Sequence, residues 1–227
     1  MKCFAYPLLA LACAGAADAA VLIDDFESGN PHGWTFGVTH PDTILPDGGT
    51  PGRYLYNDYV ASFAPRATAK PAVGTALYAA LRSGAITRIS IDAITYWTSV
   101  RRSGAFALVL RATRGTLQPD DDDFAFTLSS RPVPAVGEGW VNYSFAVPST
   151  SGEATPAGWV GGHFADMGRW RRGMDWRQLM RSVDQIEFWW IDPRLYGLVH
   201  DSQIGIDSVR VELGGIRPMD AAEAEQN

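Results

Sequence analysis

In "ITRISIDAITYW", Ile89, Ile91, Ala93, Thr95 and Trp97 fall on one side of an extended chain, while Arg88, Ser90 and Asp92 fall on the other. A period of two is what a half-buried strand requires, and it excludes an amphipathic helix here. The pattern recurs in "WVNYSFAVP", where Val141, Tyr143, Phe145 and Val147 share a face, and in "QIEFWWID" and "QIGIDSVRVEL". "AFALVLRAT" is almost wholly apolar, as a central strand covered on both faces must be. Turn-rich segments such as "SSRPVPAVGEG" and "PSTSGEATPAGWVGG" separate these runs. One helix is predicted in "DWRQLMRSV": Trp176, Leu179, Met180 and Val183 have helical spacing, and Asp175 is placed to cap it. The expectation is an all-β antiparallel sandwich with one short helix, its first and last strands side by side.

The first twenty residues, "MKCFAYPLLALACAGAADAA", carry one basic residue (Lys2), an apolar run and a small-residue end near Ala19 and Ala20. They read as a cleaved signal peptide, too short for a permanent bilayer anchor. Residues 21–214 then form one domain and 215–227 a flexible acidic tail. Both cysteines, Cys3 and Cys13, lie in the leader, so no disulfide braces the mature domain. Cys13 after "LALA" also admits a lipoprotein reading, although Ala10 stands where such sites prefer Leu. The expected location is secreted, periplasmic or extracellular. A formal charge of -6, with no basic run, makes nucleic acid an improbable partner.

The mature chain opens on "VLIDDFESGNPHGW", with Asp24, Asp25 and Glu27 crowded around Phe26. Like charges so close repel one another unless a cation joins them. In the last strand the apolar set runs Ile204 and Ile206, then Val209, Val211 and Leu213, so parity flips at Asp207 and Ser208. A flip requires a bulge, and bulges re-aim side chains. Calcium takes six to eight oxygens, many of them backbone carbonyls on turns. The sequence-level hypothesis is a structural calcium held by Asp25, Glu27 and Asp207, with Asp24 as a possible substitute for Asp25. The competing reading makes these acids solvated turn charges. A second acidic cluster, Asp120 to Asp123, lacks calcium-loop spacing and is expected to be a solvated loop.

Trp189 and Trp190 are consecutive, so they face opposite ways. Parity puts Trp190 in the core with Ile186 and Phe188, and Trp189 outside with Glu187 and Ile191. A Trp beside a carboxylate on an outer face can stack on a sugar ring while the acid bonds its hydroxyls. Trp189, Glu187 and Tyr96 are the candidate ligand-binding residues, with Tyr54, Tyr56 and Tyr143 as further members. The alternative is that Trp189 packs beneath "PAGWVGGHF". Trp34, Trp140 and Trp176 are expected in the core, and Trp159 and Trp170 on loops. Glu187 and Asp192 have opposite parity, the histidines lack ligand spacing, and no serine sits in a nucleophile elbow, so an enzyme is not expected.

The segment from Asp175 to Leu213 resembles the closing part of the laminin IV type A (laminin B) domain: a short helix, a strand, an irregular loop and an Asp-bearing last strand, with Asp207 at that Asp. "GGTPGRYLYNDYV" resembles that family's Gly-rich turn, and the likeness spans Asp24 to Leu213. "IDPR" and the insert "TPAGWVGGHFADMGRWRRGM" depart from it. The opening "DDFESGNPHGW" is also similar to carbohydrate-binding modules with the galactose-binding-like jelly roll, in which an early Glu and a late Asp hold calcium. That resemblance implies Glu27 and Asp207 as ligands. Together these imply a jelly-roll recognition domain for carbohydrate or extracellular matrix, binding polysaccharide or a cell-surface component. The alternatives are an adhesive protein-protein domain that binds no sugar and a polysaccharide hydrolase or lyase.

Overall fold

The computed structural model describes residues 21–36, 40–62, 64–69, 75–99, 104–113, 122–196 and 200–214. The expected leader, the acidic tail, Asp120 and Asp121 lie outside the described residues. Two six-stranded sheets face each other. The first contains β1 (Val21–Asp24), β3 (Thr43–Gly49), β4 (Gly52–Ser62), β6 (Ile86–Thr98), β9 (Val141–Ala146) and β12 (His200–Leu213), in the order β3-β4-β12-β6-β9, with β1 also pairing β12. The second contains β2 (Trp34–Thr35), β5 (Arg66–Ala69), β7 (Ala105–Ala112), β8 (Asp123–Pro132), β10 (Trp159–His163) and β11 (Gln185–Trp189), in the order β10-β8-β7-β11-β5-β2. All the pairings are antiparallel, and β1 meets β12 with Val21 opposite Glu212, so the terminal strands are neighbours as expected. Among the described residues no helix is long and apolar enough to cross a membrane.

The inward residues of both sheets make the main core. Ile89, Ile91 and Ala93 of β6 and Val141, Tyr143 and Phe145 of β9 meet Phe106, Leu108 and Leu110 of β7 and Ile186 and Phe188 of β11. Phe106 stacks on Tyr143 at 4.0 Å. Tyr143 is therefore a core residue, and burial raises its hydroxyl pKa. β7 is covered on both sides, because Ala107 and Val109 belong to a second cluster on the far face of its sheet. Its apolar sequence follows from that position. Trp97 alternates with the inward set, but it stands at the strand end beyond the core and is exposed.

Among the described residues there are two α-helices where one helix was expected. α2 (Trp176–Ser182) has Asp175 as its N-cap, accepting from Gln178 N at 2.8 Å. α1 (Thr75–Arg82) was not read from the sequence. Its Ala-rich run has high helix propensity and an amphipathic pattern, but at eight residues it is shorter than the window over which helical periodicity can be told from other patterns. It ends where Gly84 (φ 73°) turns the chain, with Gly84 N donating to Leu81 O and Ala85 N to Ala80 O. That crossed pair of bonds closes the helix with a left-handed glycine. Trp34 and Trp176 lie in the core as expected.

Candidate functional site

The flip in β12 is a bulge. Its register against β6 shifts between Asp207 and Arg210, and Ser208 has φ 48°. The bulge aims Asp207 into the turn Gly48 to Arg53, which joins β3 to β4 and contains a cis Thr50-Pro51 bond. Thr50 N donates to Asp207 Oδ2 at 2.5 Å, Ser208 N to Oδ1 at 2.6 Å, and the Ser208 hydroxyl to Thr50 O at 2.9 Å. The Thr50 hydroxyl donates to Asp92 Oδ2 at 2.9 Å, and Asn142 Nδ2 to Asp92 Oδ1 at 2.7 Å. Asp207 is fully buried and Asp92 nearly so, with no basic side chain paired to either among the described residues. Burial pushes the Asp207 carboxyl up to about 6, and the Asp92 charge adds to the rise against the hydrogen bonds that lower it.

Glu27 reaches the same turn from the opposite side. Its Oε1 accepts from Arg53 N at 2.7 Å, and its carboxylate lies where a Cβ on Gly52 (φ 76°) would stand. A Cβ on Gly49 would stand 2.6 Å from Asp207 Oδ2, 2.8 Å from Gly52 O and 2.8 Å from Arg53 O. Three oxygens thus crowd the space that a side chain at position 49 would need, so glycine is what fits there. Asp25 is not brought into the turn: it is exposed, and its Oδ1 accepts from Glu27 N at 3.2 Å. Asp24 pairs instead with His32, its Oδ1 lying 2.8 Å from Nδ1. No group of three or more His, Cys, Asp or Glu side chains has metal-site geometry among the described residues.

The outer face of the first sheet carries the aromatic residues. Tyr96, 36% exposed, lies 5.4 Å from Tyr56 at 85° and 6.3 Å from Tyr54 at 30°, and its hydroxyl donates to that of Tyr54 at 2.7 Å. Gly205 lies between their strands, paired with both Tyr56 and Ile94. A Cβ there would meet the Tyr54 ring at 3.1 Å, so glycine is what lets the ring lie flat across β12. Trp140 is also on this face and not in the core, edge-on to Tyr54 at 5.1 Å, with Nε1 donating to Gly48 O at 2.6 Å. Burial raises the Tyr56 hydroxyl pKa, and the nearby Asp58 carboxylate raises it further. Asp58 is exposed next to Tyr56; its Oδ1 pairs with His40 Nδ1 at 2.8 Å, and Oδ2 is the acceptor left beside the rings.

Trp189 and Glu187 lie elsewhere, and both are 1% exposed. The parity reading holds, since they share the outer face of the second sheet, but that face is roofed. Phe164, Val160 and Met167 cover it together with Phe124 and Phe126, and Tyr196 sits 6.0 Å from Trp189. The open Trp189 platform is corrected and the alternative reading holds, since Val160 and Phe164 of "PAGWVGGHF" lie in the Trp189 cluster: alternation gives a side chain's direction and not what later segments lay over it. Glu187 Oε1 accepts from Arg111 Nη1 at 2.9 Å, and Oε2 from Trp189 Nε1 at 2.7 Å, while Arg111 also binds Asp122. Burial alone would lower the Arg111 pKa, but Glu187 and Asp122 outweigh it and raise it. Asp122 and Asp123 are therefore buried ion-pair partners and not a solvated loop, Asp123 facing Arg171 at 3.5 Å. Trp159 belongs to β10 and packs on Trp176 at 5.2 Å, while Trp170 lies against Gly161 and is partly buried on the core, so neither is a free loop residue.

No protein-family model matches this sequence, and no curated protein matches it. Among solved structures the chain is similar to the CBM22-2 xylan-binding domain of Xyn10C from Paenibacillus barcinonensis. The TM-score is 0.44 with 12% identity, covering 85% of this chain and 99% of that one. The chain's own strand order and register make it an all-β antiparallel jelly-roll sandwich with two short helices.

Proposed function

We propose that the domain is a secreted or cell-surface recognition module that binds polysaccharide on the outer face of the first sheet. The observation that carries this reading is the pair Tyr56 and Tyr96, 5.4 Å apart, with Tyr96 held by its hydroxyl bond to Tyr54 and the Asp58 carboxylate, itself paired with His40, beside them. Aromatic rings supply apolar area for the C–H face of a pyranose at little entropic cost, and a carboxylate accepts from its hydroxyls. Tyr96 keeps the ligand-binding role read from the sequence, and Tyr56 and Asp58 replace Trp189 and Glu187 beside it. The galactose-binding-like resemblance of the opening segment supports the same class of ligand.

Calcium is the second part of the proposal. Glu27 and Asp207 would hold it with the carbonyls of Gly52 and Arg53, and Asp25 stands by as an outer acid. The ion would supply fixed positive charge to a buried carboxylate that has none, tying the first loop, the β3–β4 turn and the last strand together. Because Trp140 hangs from Gly48 O and Tyr54 packs on the same turn, the protein's own residues connect this tie to the aromatic face.

The test is retention of the purified domain, in calcium, on a panel of immobilised neutral and acidic polysaccharides, with Tyr96→Ala beside it. Retention on one polymer that the substitution abolishes establishes the binding face. A folded protein retained by none refutes sugar binding and leaves the adhesive, protein-binding alternative.

A further inference from the structure

The loop between β1 and β2 holds a constellation that neither binding nor calcium uses. His32 Nδ1 lies 2.8 Å from Asp24 Oδ1, and His32 Nε2 lies 2.8 Å from Ser28 Oγ. A carboxylate has no proton to give, so Nδ1 carries the hydrogen of the neutral ring and Nε2 is left as an acceptor facing the Ser28 hydroxyl. The order serine, imidazole, carboxylate, with each ring nitrogen in its required role, is that of an activated hydroxyl nucleophile. His32 is held in place by an unusual backbone: its φ is 44°, and its N–H donates to Asn30 Oδ1 at 2.8 Å. Asp24 is mostly covered, whereas Ser28 is exposed.

Asn30 N–H donates to Ser28 Oγ at 3.2 Å, which fixes the direction of the hydroxyl, so this N–H is not free for an oxyanion. The donor on offer to an oxyanion is Arg53. Arg53 Nη1 lies 2.7 Å from where a Cβ on Gly29 would be, so the adjacent glycine (φ 75°) admits the guanidinium beside the serine. Arg53 has no ion pair among the described residues, which leaves its charge available. Turn capping accounts for the bonds of Asp24 and Asn30 to their neighbours. It does not call for a hydroxyl on Nε2.

We propose that Ser28, His32 and Asp24 form an ester-cleaving relay, acting on esters with a small acyl group such as acetyl, since an exposed Ser28 has nothing along it to grip a long chain. Ser28 Oγ bonds to the acyl carbon as its proton passes to His32 Nε2, and the carbonyl electron pair moves onto oxygen, facing the Arg53 guanidinium. The oxyanion collapses, the ester C–O bond breaks, and the leaving alcohol takes the proton from Nε2. Water repeats the sequence on the acyl-serine, releasing the carboxylic acid and restoring Ser28. The proposal goes beyond polysaccharide recognition and does not rest on it.

The test treats the intact protein with a fluorophosphonate probe and maps the adduct by tandem mass spectrometry, alongside turnover of p-nitrophenyl acetate. The expected result is a single phosphonylated peptide containing Ser28. Turnover should fall by about 100-fold in Ser28→Ala and in Asp24→Asn, whose amide holds the wrong tautomer. An unlabelled Ser28 overturns the proposal and needs no variant to fold. So does turnover that survives Ser28→Ala but not His32→Ala, because an exposed imidazole alone attacks nitrophenyl esters.

Discussion

Asp207 is a carboxyl taken wholly out of water with no cationic side chain paired to it among the described residues, and that has a measurable cost. In the folded protein it holds its proton up to about pH 6, against 3.8 for the ordinary group. A difference of roughly two units at about 1.36 kcal/mol each is about 3 kcal/mol. The folded state binds this proton more tightly than the unfolded chain. The stabilisation it gives is therefore complete below about pH 4 and is lost as pH rises through about 6. Calcium-free protein should thus gain up to about 3 kcal/mol from this one group on acidification across that window, or about 6 to 12 °C in Tm for a domain of this size. The measurement is urea unfolding in chelator at a series of pH values, taken as the difference between wild type and Asp207→Asn. The amide leaves either Thr50 N–H or Ser208 N–H without an acceptor, which costs about 1 to 3 kcal/mol at every pH and offsets the curve without tilting it. Near neutral pH, calcium at a hundredfold excess over its dissociation constant should add about 2.7 kcal/mol to wild type and little to the variant. A wild-type minus variant difference that stays flat between about pH 4 and 7 refutes the reasoning that the site is an uncompensated buried charge.

Gly49→Ala should block the turn, because its Cβ would meet Gly52 O and Arg53 O at 2.8 Å, backbone that cannot swing away. Thermal melts with and without calcium should show a lower Tm and no response to the ion. Glu187→Ala leaves Arg111 with Asp122 alone and orphans the Trp189 indole N–H. Denaturant unfolding should show a loss of about 3 to 5 kcal/mol, with Glu187→Gln recovering part of it through the indole bond.

The fold was legible because the strands alternate where one face is covered and become uniformly apolar where both are, as β9 and β7 respectively show. The bulge at Asp207 was legible too, since a parity break has no other local cause. What alternation leaves open is cover. Glu187, Trp189 and Asp122 sit on a face that the β10 segment and the loop after it close, Asp123 is met by Arg171 of that loop, and nothing in the local pattern of β11 or β8 records that cover. The alternate placing of Tyr54 and Tyr56 on β4 did carry the signal for the aromatic face, but its meeting with Tyr96 depends on the order β4-β12-β6, which is set by pairings far apart in sequence. Asp58 and Asp92 were missed for the same reason. Ser28, His32 and Asp24 lie within nine residues, yet their joining depends on the left-handed backbone at His32, and no pattern of residue types encodes that.

Val21 lies opposite Glu212 in an antiparallel pair, so whatever precedes Val21 and follows Leu213 leaves the domain at the same end of one ladder. A pull between those two attachments does not load the β1/β12 hydrogen bonds together in shear. It opens them one after another from that end, like a zip, and needs little force to strip β1 as far as Asp24. The next anchors along the chain are Phe26, buried in the core, and Glu27 on the Gly52 turn. A cation clasped there would decide whether the tear stops at the first strand or runs on into the sandwich.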